Sequence, residues 1–260
     1  MEPVVVHAHM PNDRATKGHG TPEATWQNSG RLSTLPEVDP ATLVPPGARA
    51  VIVSPHPDDE ILATGGLLAQ LSDLGRKALI IAVTDGTASH PDSPEWPAAR
   101  LAATRQQETR DALQRLRVRH VALVRLHLPD GGGETFEPEL AEALKVHLKP
   151  GDIVFGTWRF DGNPDHESVG RAMTAVAGAL DLPFVEVPVW TWHWATPEDS
   201  RVPWSRARRI VLDAATLARK LHAIQAFRSQ IEADSSTGRA AILPEHVLER
   251  LTRPYEVVLI

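Results

Sequence analysis

The chain has 260 residues, with 27 Lys plus Arg against 33 Asp plus Glu, giving a formal charge of −6 at neutral pH. That balance offers no electrostatic footprint for a phosphate backbone, so nucleic acid is excluded as a main partner. Hydrophobic residues make up 42% and cysteine is absent, which excludes a wholly disordered chain, disulfide frameworks and Cys-based zinc sites.

Residues 1–48 are rich in Pro, Gly, Thr, Asn and His and hold no period of 2 or 3.6. They read as an irregular N-terminal arm ahead of one domain at 49–260. The stretch 36–46 reads as an extended lead-in. The opening Met-Glu-Pro-Val-Val-Val-His lacks the basic and then apolar pattern of a secretory signal, and no apolar run reaches the length of a membrane span. The expectation is a cytoplasmic protein without a membrane span, compatible with a homo-oligomer.

From Ala50 the pattern becomes strand, turn, helix, repeated. Residues 50–54 suit a strand buried on both faces. A helix over 60–74 follows, with Gly75 placed to end it. Strands are predicted at 77–84, 120–126, 152–156 and 184–192, alternating with helices at 98–116, 138–148 and 166–180. A strand at 209–212, a helix at 214–231, a short helix at 245–251 and a last strand at 255–259 complete the chain. Strands alternating with helices predict an α/β fold of Rossmann-like, three-layer type with a mainly parallel sheet. Ligands of such sheets bind beyond the carboxyl ends of the strands, so the loops 55–60, 85–97, 127–137, 157–165 and 191–207 are the ones to inspect.

The loop after the first strand reads Ser54-Pro55-His56-Pro57-Asp58-Asp59-Glu60, and the loop after the fourth reads Asp161-Gly162-Asn163-Pro164-Asp165-His166-Glu167. His56, Asp59 and His166 make a facial set that suits zinc and leaves a position open for water. Asp58 sits beside a ligand yet points elsewhere, as a general base requires. An Asp pair at a helix start is ordinarily an N-cap and a lone His before a helix is ordinarily structural. Two such clusters, each after an apolar strand, favour a site.

These residues resemble the signature of the LmbE-like or PIG-L-type zinc-dependent N-deacetylases. The resemblance begins at His56-Pro57-Asp58-Asp59-Glu60, followed by Gly65-Gly66, and continues through Thr84-Asp85-Gly86 and Arg105-x-x-Glu108. It extends to Leu128-Pro129-Asp130-Gly131, Pro164-Asp165-His166 and Ser229-Gln230. It implies one zinc ion per chain on His56, Asp59 and His166, and Asp58 as base toward a metal-activated water. The implied reaction removes an acyl group, usually acetyl, from the amine of a sugar or sugar conjugate.

One position departs from the family pattern. Many members have His where this chain has Asn163. An Asn amide can donate a hydrogen bond to an oxyanion but cannot act as an acid at neutral pH. Either Asp58 carries all the proton transfer or another His substitutes; His193 is the first candidate, ahead of His127 and His90. Asp85 and Asp130 each precede Gly at the same sheet edge and read either as turn residues or as substrate contacts. Arg105 and Glu108 read as an ion pair buttressing a loop. Gly131-Gly132-Gly133 reads as a flexible substrate-side loop. Trp190, Trp192 and Trp194 alternate as on one face of a strand; Trp194 reads as core or as an apolar wall for a sugar ring or aglycone. The alternatives to an N-acetyl-sugar deacetylase are an amidase on a non-sugar or thiol-sugar conjugate, and a non-catalytic sugar- or nucleotide-binding module. Against the last stands the absence of Gly-x-Gly-x-x-Gly after the first strand.

Overall fold

Apolar runs and amphipathic stretches become strands and helices in the computed structural model, which describes residues 14–260. The first elements are α1 (Glu23–Ser29), α2 (Pro40–Leu43), β1 (Arg49–Ser54), α3 (Asp59–Leu62), α4 (Gly65–Asp73), β2 (Lys77–Thr84) and α5 (Ala98–Leu116). Next come β3 (Val121–Leu128), α6 (Glu137–His147), β4 (Asp152–Thr157), α7 (Pro164–Ala179) and β5 (Phe184–Val187). The chain closes with α8 (Thr191–Trp194), β6 (Ala207–Val211), α9 (Ala214–Ile224), α10 (Arg228–Ile231), α11 (Glu245–Leu248) and β7 (Tyr255–Leu259). The strands form one sheet in the order β3-β2-β1-β4-β5-β7-β6. β1 to β5 pair in parallel, and β7 runs antiparallel to both its neighbours. The fold is therefore the expected mainly parallel α/β sheet.

Side chains on a strand alternate between faces, and β1 shows the consequence. Ala50 and Ile52 pack with Leu67, Leu68 and Leu71 of α4 and with Ala223 and Ile224 of α9. Val51 and Val53 pack on the other face with Leu140 and Leu144 of α6 and Val169, Met173 and Val176 of α7. Both faces are thus covered, which is why β1 and β2 read as continuous apolar runs. β1 leads on to β2 on one side and β4 leads on to β5 on the other. Their carboxyl ends therefore flank the point where strand order reverses, and a crevice opens there.

Several elements differ from their sequence reading. The segment ahead of β1 carries α1 and α2 rather than remaining irregular, and Trp26 and Leu32 are buried in the core. Glu23 on α1 pairs with Arg253 at 2.6 Å, both buried. Residues 1–13 of the expected arm lie outside the described residues. The helix read over 60–74 is broken, and α4 restarts at Gly65 because the buried Glu256 carboxylate accepts from Gly66 N at 2.7 Å and Leu67 N at 2.8 Å. The helix read over 214–231 is divided into α9 and α10, with Ser229 N donating to Glu108 at 2.7 Å. The strand read over 184–192 ends at Val187, since Pro188 has no N–H to continue the ladder. Trp190, Trp192 and Trp194 therefore do not share a strand face: Thr191–Trp194 forms the helical turn α8.

Candidate active site

His56 follows β1 directly and Asp59 opens α3, so the turn between them fixes their relation. His166 lies in the first turn of α7, beyond β4. The topology brings all three together. His56 Nδ1 and His166 Nε2 each lie 3.2 Å from the same oxygen, Asp59 Oδ2. Burial alone would raise the Asp59 pKa, but the two histidines more than offset it and hold the carboxylate well below its usual range. The Asp59 and Asp161 carboxylates push His166 up to about 9 against the effect of its own burial.

Each histidine is held from behind by carboxylates. His166 Nδ1 lies 2.9 Å from Asp161 Oδ2, which keeps a proton on Nδ1 and makes Nε2 the nitrogen that an ion would take. Asp161 is itself fully buried and accepts from the backbone N–H groups of Val189, Trp190 and Thr191, each at 2.9 Å, and from Thr191 Oγ1 at 2.6 Å. His56 Nε2 faces Asp165 Oδ2 at 3.2 Å and Asp130 Oδ1 at 3.3 Å, which places its proton there and leaves Nδ1 on the Asp59 side. Asp165 is in turn gripped by Gly131 N at 2.8 Å and Gly133 N at 2.7 Å. The three-glycine loop is thus a pinned cradle for a carboxylate rather than a flexible flap.

This donor set fits a divalent ion. His166 Nε2 is buried and makes no hydrogen bond, although Asp59 stands beside it. A buried ring nitrogen without a hydrogen-bond partner is costly, and an ion taking the place of its proton would satisfy it. Two imidazoles, one carboxylate and outer carboxylates that fix the tautomers match the usual make-up of zinc sites.

Asp58 lies beside this set in an unusual backbone state, with φ 153°. A non-glycine residue there is strained, and such strain clusters at functional positions. Its N–H donates to Glu60 Oε2 at 3.1 Å, and Ser54 Oγ donates to the same oxygen at 2.9 Å. Arg105 Nη2 donates to Asp58 Oδ2 at 3.0 Å and to the Pro57 carbonyl at 2.8 Å, while Nη1 donates to the Gly86 carbonyl at 2.9 Å. Burial nevertheless dominates, and the Asp58 carboxyl is pushed up to about 7 against the pull of Arg105. Arg105 and Glu108 are not each other's hydrogen-bond partners; Glu108 accepts from Ser229 N and Oγ, each at 2.7 Å.

A cavity of about 290 Å³ opens over these groups. His56, Asp58, Asp59, Asp130, Asn163 and His193 line it, together with Arg105 and Arg250. Leu62, Val189, Trp190, Ile242, Leu243, Val247 and Leu251 form an apolar side. Asn163 caps α7, its Oδ1 accepting from Asp165 N at 2.9 Å. With Oδ1 committed, the amide NH2 is the end that can serve the cavity. His193 has both ring nitrogens engaged: Arg250 Nη1 donates to Nδ1 at 2.6 Å and Nε2 faces the Lys17 carbonyl at 3.3 Å. Asp85 is placed with His127, 2.6 Å away, and is not part of the cavity wall. Trp194 is also off the wall; its Nε1 donates to the Asp161 carbonyl at 2.8 Å and its ring stacks on Trp158. Trp190 supplies the indole that does reach the cavity.

Sequence reading alone quoted Asp165 within a motif without giving it a role, and did not single out Asp161, Arg250 or the apolar wall at 242–251. Asp161 carried one usable signal, an Asp in the same loop as a candidate ligand. Arg250 carried none, because only the packing of the C-terminal segment brings it to the crevice.

The fold and the cluster together define an α/β protein with a His/Asp/His set at the switch point of its sheet. Residues 51–177 match the PIG-L family, described as GlcNAc-PI de-N-acetylase. The chain thus carries the PIG-L (LmbE-like) sequence pattern through that region. It is 28% identical over 130 residues to diacetylchitobiose deacetylase of Thermococcus kodakarensis, a match spanning 47% of this chain and 46% of that protein. The chain therefore aligns with about half the length of this curated relative. Among solved structures, N,N'-diacetylchitobiose deacetylase from Pyrococcus horikoshii superposes with a TM-score of 0.53 at 21% identity, covering 79% of each chain. An antimicrobial pseudoaglycone deacetylase gives a TM-score of 0.58 at 18% identity, covering 82% of this chain and 96% of that one. The zinc-inhibited form of teicoplanin deacetylase gives 0.53 at 19% identity, covering 70% and 85%. At these identities the structural likeness establishes the fold. Among the described residues no helix is long and apolar enough to cross a membrane.

Proposed function

We propose that residues 49–260 form a metal-dependent N-deacylase that removes an acyl group, acetyl in the first instance, from the amine of an N-acylated sugar or sugar conjugate. The observation that carries this reading is the unpartnered, buried His166 Nε2 facing Asp59 and His56, with Asp58 lining the cavity that His56 and Asp59 also line. The PIG-L match and the deacetylase relatives support it.

His56, Asp59 and His166 would hold the ion, and their N/O chemistry suits zinc. Such an ion, when bound, supplies Lewis acidity toward the acyl carbonyl and acidifies water. Asp58 takes a proton from the water that attacks the carbonyl carbon. As the C–N bond breaks, Asp58 returns that proton to the departing nitrogen, leaving an amine and a carboxylic acid that ionises by losing its remaining proton to solvent. Arg105 fixes the Asp58 carboxylate through its charged hydrogen bond, and the strained backbone aims it away from the ligand set. Asn163 donates from its amide NH2 to the carbonyl oxygen as charge develops there. His193, with both nitrogens occupied, orients groups at the cavity wall rather than carrying a proton. Asp130 holds the His56 tautomer from the cavity side.

The cavity is at the lower end of the usual range for small-molecule pockets, roughly 300–1,000 Å³, which suits one acylamino unit with a carbon-rich neighbour on the 242–251 wall. The test is primary-amine release from N-acetylglucosamine and N,N'-diacetylchitobiose by zinc-loaded protein, with loss on chelation and recovery when zinc returns. Absence of amine from every N-acetyl sugar in a zinc-loaded sample overturns the sugar reading. Release from N-acyl amino acids or thiol-sugar conjugates instead transfers the same chemistry to those substrates.

A further inference from the structure

The acidic and histidine-rich side of the cavity comes from the loops after β1, β3 and β4. Its other side holds a cation that the ligand set and Asp58 do not use. Arg250 lines the cavity yet is only 3% exposed. One of its nitrogens, Nη1, donates to His193 Nδ1 at 2.6 Å, and Nη2 donates to the His19 carbonyl at 2.5 Å. Nε is buried and makes no hydrogen bond. Among the described residues no carboxylate forms an ion pair with it; the neighbouring Arg253 is the one that takes Glu23.

A guanidinium has five N–H donors and does not give up its charge. Burying it without a counter-charge is expensive, and natural proteins accept that cost where a ligand supplies the missing anion. The nearest carboxylates, Glu23 and Glu249, act on it only through space: neither is its ion-pair partner, and Glu23 is taken by Arg253. His193 presents a neutral ring, since burial and the nearby arginine hold its pKa below the ordinary value. Arg105 is the other cavity cation, and it is already matched by Asp58. The acceptors Arg250 does have are an imidazole nitrogen and a carbonyl, which hold the fork in place without neutralising it.

Building on the deacylase reading, we propose that Arg250 recognises an anionic group on the substrate, so the natural substrate is an N-acyl sugar whose ring also carries a carboxylate or phosphate. His193 and the carbonyl of His19, in the segment ahead of α1, hold the guanidinium in place for that contact. Carboxylate and phosphate both match the fork bidentately. Their different size and charge allow experiment to separate them.

The test is calorimetric binding of three probes that differ only at C6 to zinc-loaded Asp58→Asn protein: N-acetylglucosamine, its 6-phosphate and its 6-uronate. The wild-type Arg250 background should bind at least one anionic probe about tenfold more tightly than the neutral sugar. In Arg250→Gln that preference should collapse to within about twofold, and Arg250→Lys should retain part of it as a point charge. Equal affinity for all three probes overturns the proposal, as does a preference that survives in Arg250→Gln. Failure of both anionic probes to bind also overturns it. The comparison among probes is made within one protein that keeps the native Arg250, so it stands whether or not the Arg250 variants fold. Amine release by protein with Asp58 intact is scored separately: turnover without anion preference sinks this proposal alone, and anion preference without turnover sinks the deacylase reading alone.

Discussion

Arg105 reaches from α5 to the turn after β1 and places Nη2 3.0 Å from Asp58 Oδ2, with both side chains buried. The pair joins two elements far apart in sequence and fixes the one cavity-lining carboxylate, among the described residues, that is placed neither as a ligand nor behind one. Asp58→Asn keeps a hydrogen-bond acceptor for Arg105 but removes the proton acceptor. Amine release should fall about 100- to 10,000-fold, with metal content and melting temperature close to wild type. A variant retaining more than a tenth of wild-type turnover would remove Asp58 from the role of base.

Gly86 is where Arg105 passes the loop after β2. It has φ +67°, and a Cβ built there would lie 2.0 Å from Arg105 Nη1. Gly86→Ala must therefore displace the guanidinium as well as strain the turn. The expected cost is about 1–3 kcal/mol of stability, with turnover reduced more than metal affinity. Thermal melts together with metal titration check this, and unchanged turnover would show that Arg105 does not support the base.

Asp161 orients His166 and also gathers three backbone N–H groups. Asp161→Asn removes the charge behind the imidazole and leaves one carbonyl oxygen for several donors. Metal affinity should drop about 10- to 100-fold, measured by competition against a chelator. A matched affinity would mean that the tautomer of His166 is set elsewhere.

The metal-free protein should carry a signature in its pH stability. His166 is raised from 6.5 to about 9 in the folded state. A raised histidine contributes stability fully below its unfolded pKa and loses it as pH climbs through the folded one. Chelated protein should therefore lose melting temperature between pH 6.5 and about 9, the interval set by that shift. Metal-loaded protein, whose imidazoles are neutral ligands, should not show this loss, and its loading at neutral pH should release protons. Parallel pH melts of the two forms decide the matter; superimposable profiles would contradict it.

Much of the fold was legible because the sheet is buried on both faces. Runs such as Val51-Ile52-Val53 and Leu79-Ile80-Ile81 cannot be accommodated elsewhere, and their spacing by amphipathic helices dictates a parallel sheet. The misread elements are those governed by one buried carboxylate. Asp161 draws in the N–H groups of residues 189–191 and turns an apolar, β-prone segment into α8. Glu256 captures the N–H groups of Gly66 and Leu67 and restarts a helix that periodicity runs straight through. Such partners come from distant parts of the chain and leave no local pattern.

The site follows the same logic. The His56, Asp59 and His166 set was legible because strand topology forces two adjacent loops to meet. Trp194 and Asp85 were legible as unusual residues but not as to direction: Trp194 turns inward to Trp158, and Asp85 turns to His127. Arg250 depends on how the C-terminal segment folds back over the crevice, which no short-range pattern encodes.

The most direct measurement is metal content of purified, desalted protein after exposure to zinc, wild type beside Asp59→Ala. The account predicts about one zinc per chain in the wild type, as a single His/Asp/His set with one open position requires, and its loss in the variant. Zinc-free wild-type protein, or equal zinc in both, would contradict the ligand set on which the proposed chemistry stands.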